Sequence, residues 1–487
     1  MSIHVNVIQG NVKEVNISSN FINKLYKSIL KHKQTEDYFD DTSNMVGRID
    51  TARTYREYVT AINEVFPLLE INPEEYYVYF EDPEVMRILI AKIGDGVGVT
   101  ESAILNVVSM DSRWIRENNQ PNNNIVKFNE FYKFSNVKSL PGSMFLCCDN
   151  LQEININNII TLNNSAFDRC HSLKKVEANN VTTVDIAVFN DCTLLSDINI
   201  PKVETIGTSA FYNCPLTNAD FGHSITNIGD RAFINSAITD IDLSNTTIIG
   251  GSAFNGCTSL ENIHTDLSNA ISIGGRAFYD CQSLTGISGT IKLNVSTIFN
   301  MTFYRCKGIT TVDLSNVNSI EMYDWGGTFQ DCTNLQTVIL NPNIKNLCPR
   351  AFLGCTKLVN IDTSNIESYY DSDNTAGAQF YGCSLLRQIT INENVTVIPA
   401  NFANGCSALT EITIPASVTH IYMDSFKGCS SLTKVTILAT TPPEGQLSNA
   451  FNYPNTYPIY VPAESVEAYK AAENWQQYKN RIQAIPT

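Results

Sequence analysis

The sequence predicts an α+β protein built mainly as a solenoid of about thirteen coils, with a separate mixed α/β N-terminal domain and a C-terminal cap. Three observations lead there. A Phe-x-x-Cys unit recurs through the middle of the chain, a short alternating apolar triplet follows each copy, and the residues on either side of the array follow a different pattern.

Phe-x-x-Cys runs from Phe145/Cys148 through Phe254/Cys257 to Phe426/Cys429, with a Phe-to-Phe spacing of 21 to 28 residues, most often 22. Two copies are imperfect: Phe233 is followed by Ser236, and Phe402 reaches Cys406 with one extra residue. After each Cys comes Leu-x-x-Ile-x-Leu, as in Leu195/Ile198/Ile200 and Leu432/Val435/Ile437, whose final triplet reads as a half-buried strand. A second apolar pair, as in "VETIG" and "ITNIG", adds another extended segment to each turn. One such unit cannot bury its apolar side alone, whereas stacked units form a continuous core. At a strand spacing of roughly 4.8 Å, the coils should extend about 60 Å as a rod or shallow arc.

Residues 1–125 should form the mixed N-terminal domain. "SSNFINKLYKSILKHK" places Phe21, Ile22, Leu25, Tyr26 and Ile29 at helical spacing, and "RTYREYVTAINEVFPLL" does the same with Tyr55, Tyr58, Val59, Ile62 and Val65. "EYYVYF" is a candidate strand, and "PEVMRILIAKIGDG" a helix that begins at Pro83 and ends near Gly94. The polar stretch "RENNQPNNN" should join this domain to the array, which occupies residues 126–440. "ATTPPEG" breaks the repeat, and residues 441–487 should cap the last coil with a strand, Ile459 to Val461. Helical turns should follow there, with Val466, Tyr469, Trp475, Tyr478 and Ile482 facing inward.

The repeat "IGxxAFxxCxxLxxIxxP" and the terminal "YVPAESVEAYKAAENW" resemble the BspA-type leucine-rich repeat family, which is found in Bacteroidetes surface proteins, in some protists and in phages of gut Bacteroidetes. The resemblance covers roughly residues 130 to 487. It implies a leucine-rich-repeat solenoid of short strands, used in adhesion and binding, and brings no catalytic residues.

Composition narrows the partners. The 33 basic and 49 acidic side chains give a net charge of −16, which repels phosphate backbones and anionic headgroups. Nucleic acid is therefore not an expected partner. With 43% hydrophobic and 17% charged residues, the chain should fold through most of its length. It contains no run of 18 apolar residues, and "MSIHVNVIQGNVKEV" lacks the basic and apolar regions of a signal peptide. Neither membrane insertion nor export by the standard route is expected.

Twelve of the 14 cysteines occupy the repeat position, Cys147 and Cys348 being the exceptions. A metal site needs about four converging ligands, and one Cys per coil with no CxxC forms a ladder instead. Disulfides between coils are disfavoured because parallel side chains point the same way. Ser236 at one rung suggests that the position needs a small buried residue. The Phe ladder should likewise be structural. No metal or other cofactor is expected.

The outward-facing residues of the strand triplet are the candidate binding surface. The chosen positions are Asp197, Asn199, Asn218, Asp220, Asp240, Asp242, Asn262, His264, Asp313 and Asp362, where Asp and Asn could accept hydrogen bonds from sugar hydroxyls or hold a weak Ca²⁺. The competing reading is a solvated sheet face whose charges discourage aggregation. The six histidines lack an HExxH or nucleophile motif, "IGDGVGV" reads as a turn after a helix, and "EDYFDD" reads as a solvated loop.

Together these features point to a non-enzymatic protein. The favoured reading is a phage virion component, a fibre or attachment protein, located on the virion. Its N-terminal domain would contact other virion proteins, and its rod a host surface protein or glycan. Homo-oligomers are possible in this scheme. A bacterial cell-surface adhesin is the first alternative, and an enzyme with its site in residues 1–125 the second.

Overall fold

The structure, a computed structural model, describes residues 78–96, 98–116, 120–285, 289–321, 326–369, 377–451 and 457–486. The helices expected over residues 18–33 and 53–69, and all but the end of the strand expected at 75–80, lie outside the described residues. The chain divides into two compact units, Met1–Val181 and Thr182–Thr487.

In the first unit, helix α1 (Pro83–Ile93) starts at the expected proline and stops at Gly94. Asp82 caps it, one carboxylate oxygen accepting from the amides of Glu84 and Val85 at 2.9 and 3.3 Å. The other oxygen accepts from the amides of Val126 and Lys127 at 2.6 and 3.0 Å, so a single side chain ties the helix start to the first strand. Val85, Ile88 and Leu89 form the buried stripe of α1. A short helix, α2 (Glu101–Leu105), follows.

Two residues of "RENNQPNNN" are tied to distant parts of the chain. Its Asn122 is buried and donates to Glu84 at 2.8 Å, and the Asn123 side-chain oxygen accepts from the Asp149 amide. Just beyond it, Phe128, Phe131 and Phe134 pack with Phe80 into a buried aromatic cluster with ring centroids 5.1 to 6.4 Å apart. Strands Lys127–Phe128, Glu153–Asn155 and Lys175–Glu177 then pair in parallel, and a second parallel pair joins Ser139–Leu140 to Thr161–Leu162.

The second unit repeats this coil. The second extended segments align as Thr183–Val184, Thr205–Ile206, Asn227–Ile228, Ile248–Ile249 and Ser272–Ile273. The strand triplets align as Asp197–Asn199 with Asn218–Asp220, then Thr290–Lys292, Thr311–Leu314, Thr337–Leu340 and Asn360–Ile361. Inside, the Phe rings stack face to face: Phe211, Phe233, Phe254 and Phe278 succeed one another at 5.3 Å with interplanar angles of 3 to 12°. All are fully buried.

The array has about 15 turns rather than thirteen. Phe131 and Phe451 extend the ring series at either end, although neither has a Cys three residues later. Residue 402 also differs from its expected role, because there is no insertion before Cys406. The Phe380 amide bonds the Phe402 carbonyl, as Phe211 bonds Ala232, while the Cys406 amide bonds Ala403, as Cys257 bonds Phe254. The Ala-Phe order is therefore reversed, and Ala403 takes the ring position. Phe402 fills the space edge-on, meeting Phe380, Phe426 and Tyr369 at 86°, 77° and 66°.

At the end of the chain, Ile459–Val461 forms the expected strand beside Lys434–Ile437. A further strand, Ile482–Ala484, adds to it where only helical turns were expected. Helix α3 (Val466–Ala471) connects the two through a 3-10 segment, Glu473–Arg481. Tyr469, Trp475, Tyr478 and Ile482 are buried, whereas Val466 is only half-buried.

Candidate functional site: the strand face

Burial places the cysteines inside. Every repeat-position Cys is fully buried, and none of the 14 cysteines forms a disulfide. They contribute more than bulk. Cys214, Cys257, Cys281 and Cys306 each donate Sγ–H to the carbonyl of the preceding coil's Phe at 2.9 to 3.1 Å. Burial pushes the Cys257 thiol up to about 12 and that of Cys148 to about 11, which suppresses the reactive thiolate. Cys148 and Cys257 are therefore not poised as nucleophiles, and the candidate surface lies on the outer faces.

On the strand face the register brings four candidates together, Asp197 beside Asn218 and Asn199 beside Asp220. Asp240 meets Asn262 through an isolated parallel bridge. His264 departs from the expected strand geometry: its φ is +55°, and its Nε2 turns back onto the Asp240 carboxylate at 2.8 and 3.0 Å. Asp313 stands next to Lys292 and Ile339 in register, and Asp362 lies just past the short strand Asn360–Ile361.

The two outward positions of each triplet do different work. The later one is a turn cap: Asp220, Asp242, Asp313 and Asp362 each accept from the backbone amide two residues on, at 2.8 to 2.9 Å. Burial would raise Asp242, but hydrogen bonds from Ser244 and His223 outweigh it and hold the carboxyl below the usual range. The Ser364 backbone and side-chain hydrogen bonds hold Asp362 low in the same way. The earlier position, Asp197, Asn218, Asp240 and Asn262, is freer of such duty, and the last three are exposed. Among the described residues, no three His, Cys, Asp or Glu side chains converge as a metal site requires.

Sequence reasoning placed His264 on the candidate face but missed the pairing of histidines with acids. His171, His223, His264 and His420 each face a carboxylate from a neighbouring coil: Asp149, Asp242, Asp240 and Glu444, at 2.7, 2.6, 2.8 and 3.9 Å. A separation of one repeat length between His and acid was the available signal.

A family model for the BspA type leucine rich repeat region matches in six copies over residues 122–239, 226–325, 247–373, 326–433 and 373–452. The chain belongs to the BspA-type leucine-rich repeat family. Among solved structures, this BspA-type chain is similar to a leucine-rich repeat protein of Bacteroides ovatus, with 20% identity, TM-score 0.40, and 72% of this chain and 88% of that one covered. A leucine rich cell surface protein of Faecalibacterium prausnitzii is 24% identical, with TM-score 0.35 and 62% and 77% covered. A search of the curated proteins found no match. No helix among the described residues of the BspA-type chain is long and apolar enough to cross a membrane.

Proposed function

We propose that the protein is a non-enzymatic recognition module whose strand face contacts a host surface protein or glycan. The observation that carries this reading is the division of labour in the coils around residues 195–264: the apolar and thiol side chains are buried, while at the earlier triplet position Asp197 lies in register beside Asn218, roughly 4.8 Å away, and Asn218, Asp240 and Asn262 are exposed. Leucine-rich repeats use such surfaces for interaction, and a polar row without a reactive group suits binding better than turnover. A full-chain glycan array, followed by Asp197→Ala/Asn218→Ala, tests it. Binding that falls at least tenfold in the variant supports the reading, and unchanged binding removes it.

The place of action is part of the same proposal. Residues 1–125 would anchor the chain to a phage particle, with residues 126–440 as the recognition array and 441–487 as the cap. The family match beginning at residue 122 favours a separate role for the preceding segment. Mass spectrometry of purified particles should find the chain among virion proteins. Recovery by surface proteolysis of intact bacteria instead would favour the cell-surface adhesin.

A further inference from the structure

Within the unit Thr182–Thr487, the segment that runs from two residues before each ring to the strand triplet forms the turn side of the coil, and charge is unevenly spread along it. Four coils, those of Phe278, Phe303, Phe329 and Phe352, place five basic side chains there, Arg276, Arg305, Lys307, Arg350 and Lys357, against two acidic ones, Asp280 and Asp331. The amides of Phe278, Phe303 and Phe329 bond the carbonyls of Thr302, Thr328 and Ala351 at 2.9 to 3.1 Å, so the four segments lie side by side. The turn segments just outside, 252–260 before them and 378–386 and 401–409 after them, carry no charged residue. A chain with a net charge of −16 thus holds a bounded patch of net positive charge.

Hydrogen bonds fix the lysines of this patch. Lys307 Nζ donates to Gln282 Oε1 at 2.8 Å, Asn334 Nδ2 to the Lys307 carbonyl at 2.7 Å, and Lys357 Nζ to Asn334 Oδ1 at 2.7 Å, a chain of bonds that crosses all four coils. Both ammonium groups are held by neutral amides, and among the described residues neither has a carboxylate within ion-pair distance. Their charge is oriented but not neutralised. They stand two coils, roughly 10 Å, apart. Arg276 and Arg350 flank them, each two residues before its ring. Arg305 is balanced differently, by Asp280 at 3.7 Å. Beside it, the half-buried Tyr279 and Tyr304 stack at 4.6 Å and 6°, and the Arg305 guanidinium lies 5.9 Å from the Tyr304 ring centroid.

We propose that this turn face is a binding site, separate from the strand face, for a short acidic oligosaccharide. Its carboxylate or sulfate groups meet Lys307, Lys357 and the flanking arginines, and its C–H surface packs on Tyr279 and Tyr304. Charge complementarity selects the anion, because ammonium and guanidinium groups form their strongest hydrogen bonds with ionised oxygens. The tyrosines select the sugar, since each ring offers an apolar body and a polar tip to a ligand that alternates C–H and hydroxyl surfaces. The uncharged coils at either end limit the site to roughly 15 Å, and the acidic remainder of the chain repels a longer polyanion such as nucleic acid.

Calorimetric titration of the full chain with tetragalacturonate and with a heparin-derived tetrasaccharide tests the site, with maltotetraose and tetrathymidylate as controls. At least one acidic tetrasaccharide should bind, with an affinity that falls as salt is raised, and both controls should bind about tenfold more weakly or worse. Lys307→Gln/Lys357→Gln should lower the affinity for the acidic sugar about tenfold while its denaturation midpoint stays near wild type. Tyr279→Leu/Tyr304→Leu should lower it about threefold. Asp197→Ala/Asn218→Ala should bind the acidic probes as wild type does, so failure at one face leaves the reading of the other standing. Unchanged affinity in the lysine or the tyrosine variant, equal binding of either control, or no binding of either acidic tetrasaccharide overturns the proposal.

Discussion

At the scale of single residues, the cysteines show how far a sequence pattern can be read. Their burial and lack of pairing followed from one Cys per coil and a Ser in one rung, but the thiol's role as a hydrogen-bond donor did not, because it depends on where the next coil places its carbonyl. Ser236 is the residue that tests this role. Its hydroxyl has no partner, and a C–S bond is longer than a C–O bond, so Ser236→Cys should reach the carbonyl that the shorter side chain misses. Stability should rise by about 1 kcal/mol, read as a higher denaturation midpoint at constant slope. Removing a ring from mid-array, as in Phe254→Ala, should cost about 3 to 5 kcal/mol in the same assay. Native alkylation should label Cys147 alone at first, since it is the one thiol that is not buried. The reversed Phe402 and Ala403 could not be placed from spacing, because an insertion and a swap leave the same Phe-to-Cys distance.

At the scale of elements, helix α1 was legible at both ends, since Asp-Pro and Gly are local signals that need no tertiary partner. The contacts made within "RENNQPNNN" were not legible, because its Asn122 and Asn123 are satisfied by groups far along the chain, Glu84 and Asp149. Asp82 is where the two levels meet. Asp82→Ala should lose about 2 kcal/mol and loosen both the first turn of α1 and the strand Lys127–Phe128, a coupling that amide exchange in both segments would reveal. The later triplet position was also open to local reading: Asp220-x-Gly, Asp242-x-Ser, Asp313-x-Ser and Asp362-x-Ser repeat a turn-forming pattern. Asp242, Asp266 and Asp362 are held below the ordinary carboxylate range in the folded chain. Their contribution is therefore complete above about pH 4 and is lost as the pH falls through the lower folded values. An acid titration monitored by circular dichroism should show stability falling below about pH 4, and Asp362→Asn should make that fall shallower.

At the scale of the whole molecule, repetition makes the fold readable and recognition hard to read. Most coils carry the same internal Phe and Cys, so the period alone specifies the solenoid. The outward residues vary from coil to coil, and their arrangement depends on local departures such as the left-handed turn at His264. The resulting face separates residues that cap turns from residues that are free to meet a partner, and that separation is what a binding experiment can resolve. The most direct measurement is full-chain binding to a glycan array and to immobilised host-cell surface extract, comparing wild type with Asp197→Ala/Asn218→Ala and with Thr183→Ala/Thr205→Ala on the second set of extended segments. Recognition by the strand face predicts at least a tenfold loss in the first variant and none in the second. Equal binding by all three, or loss only in the second, would contradict it.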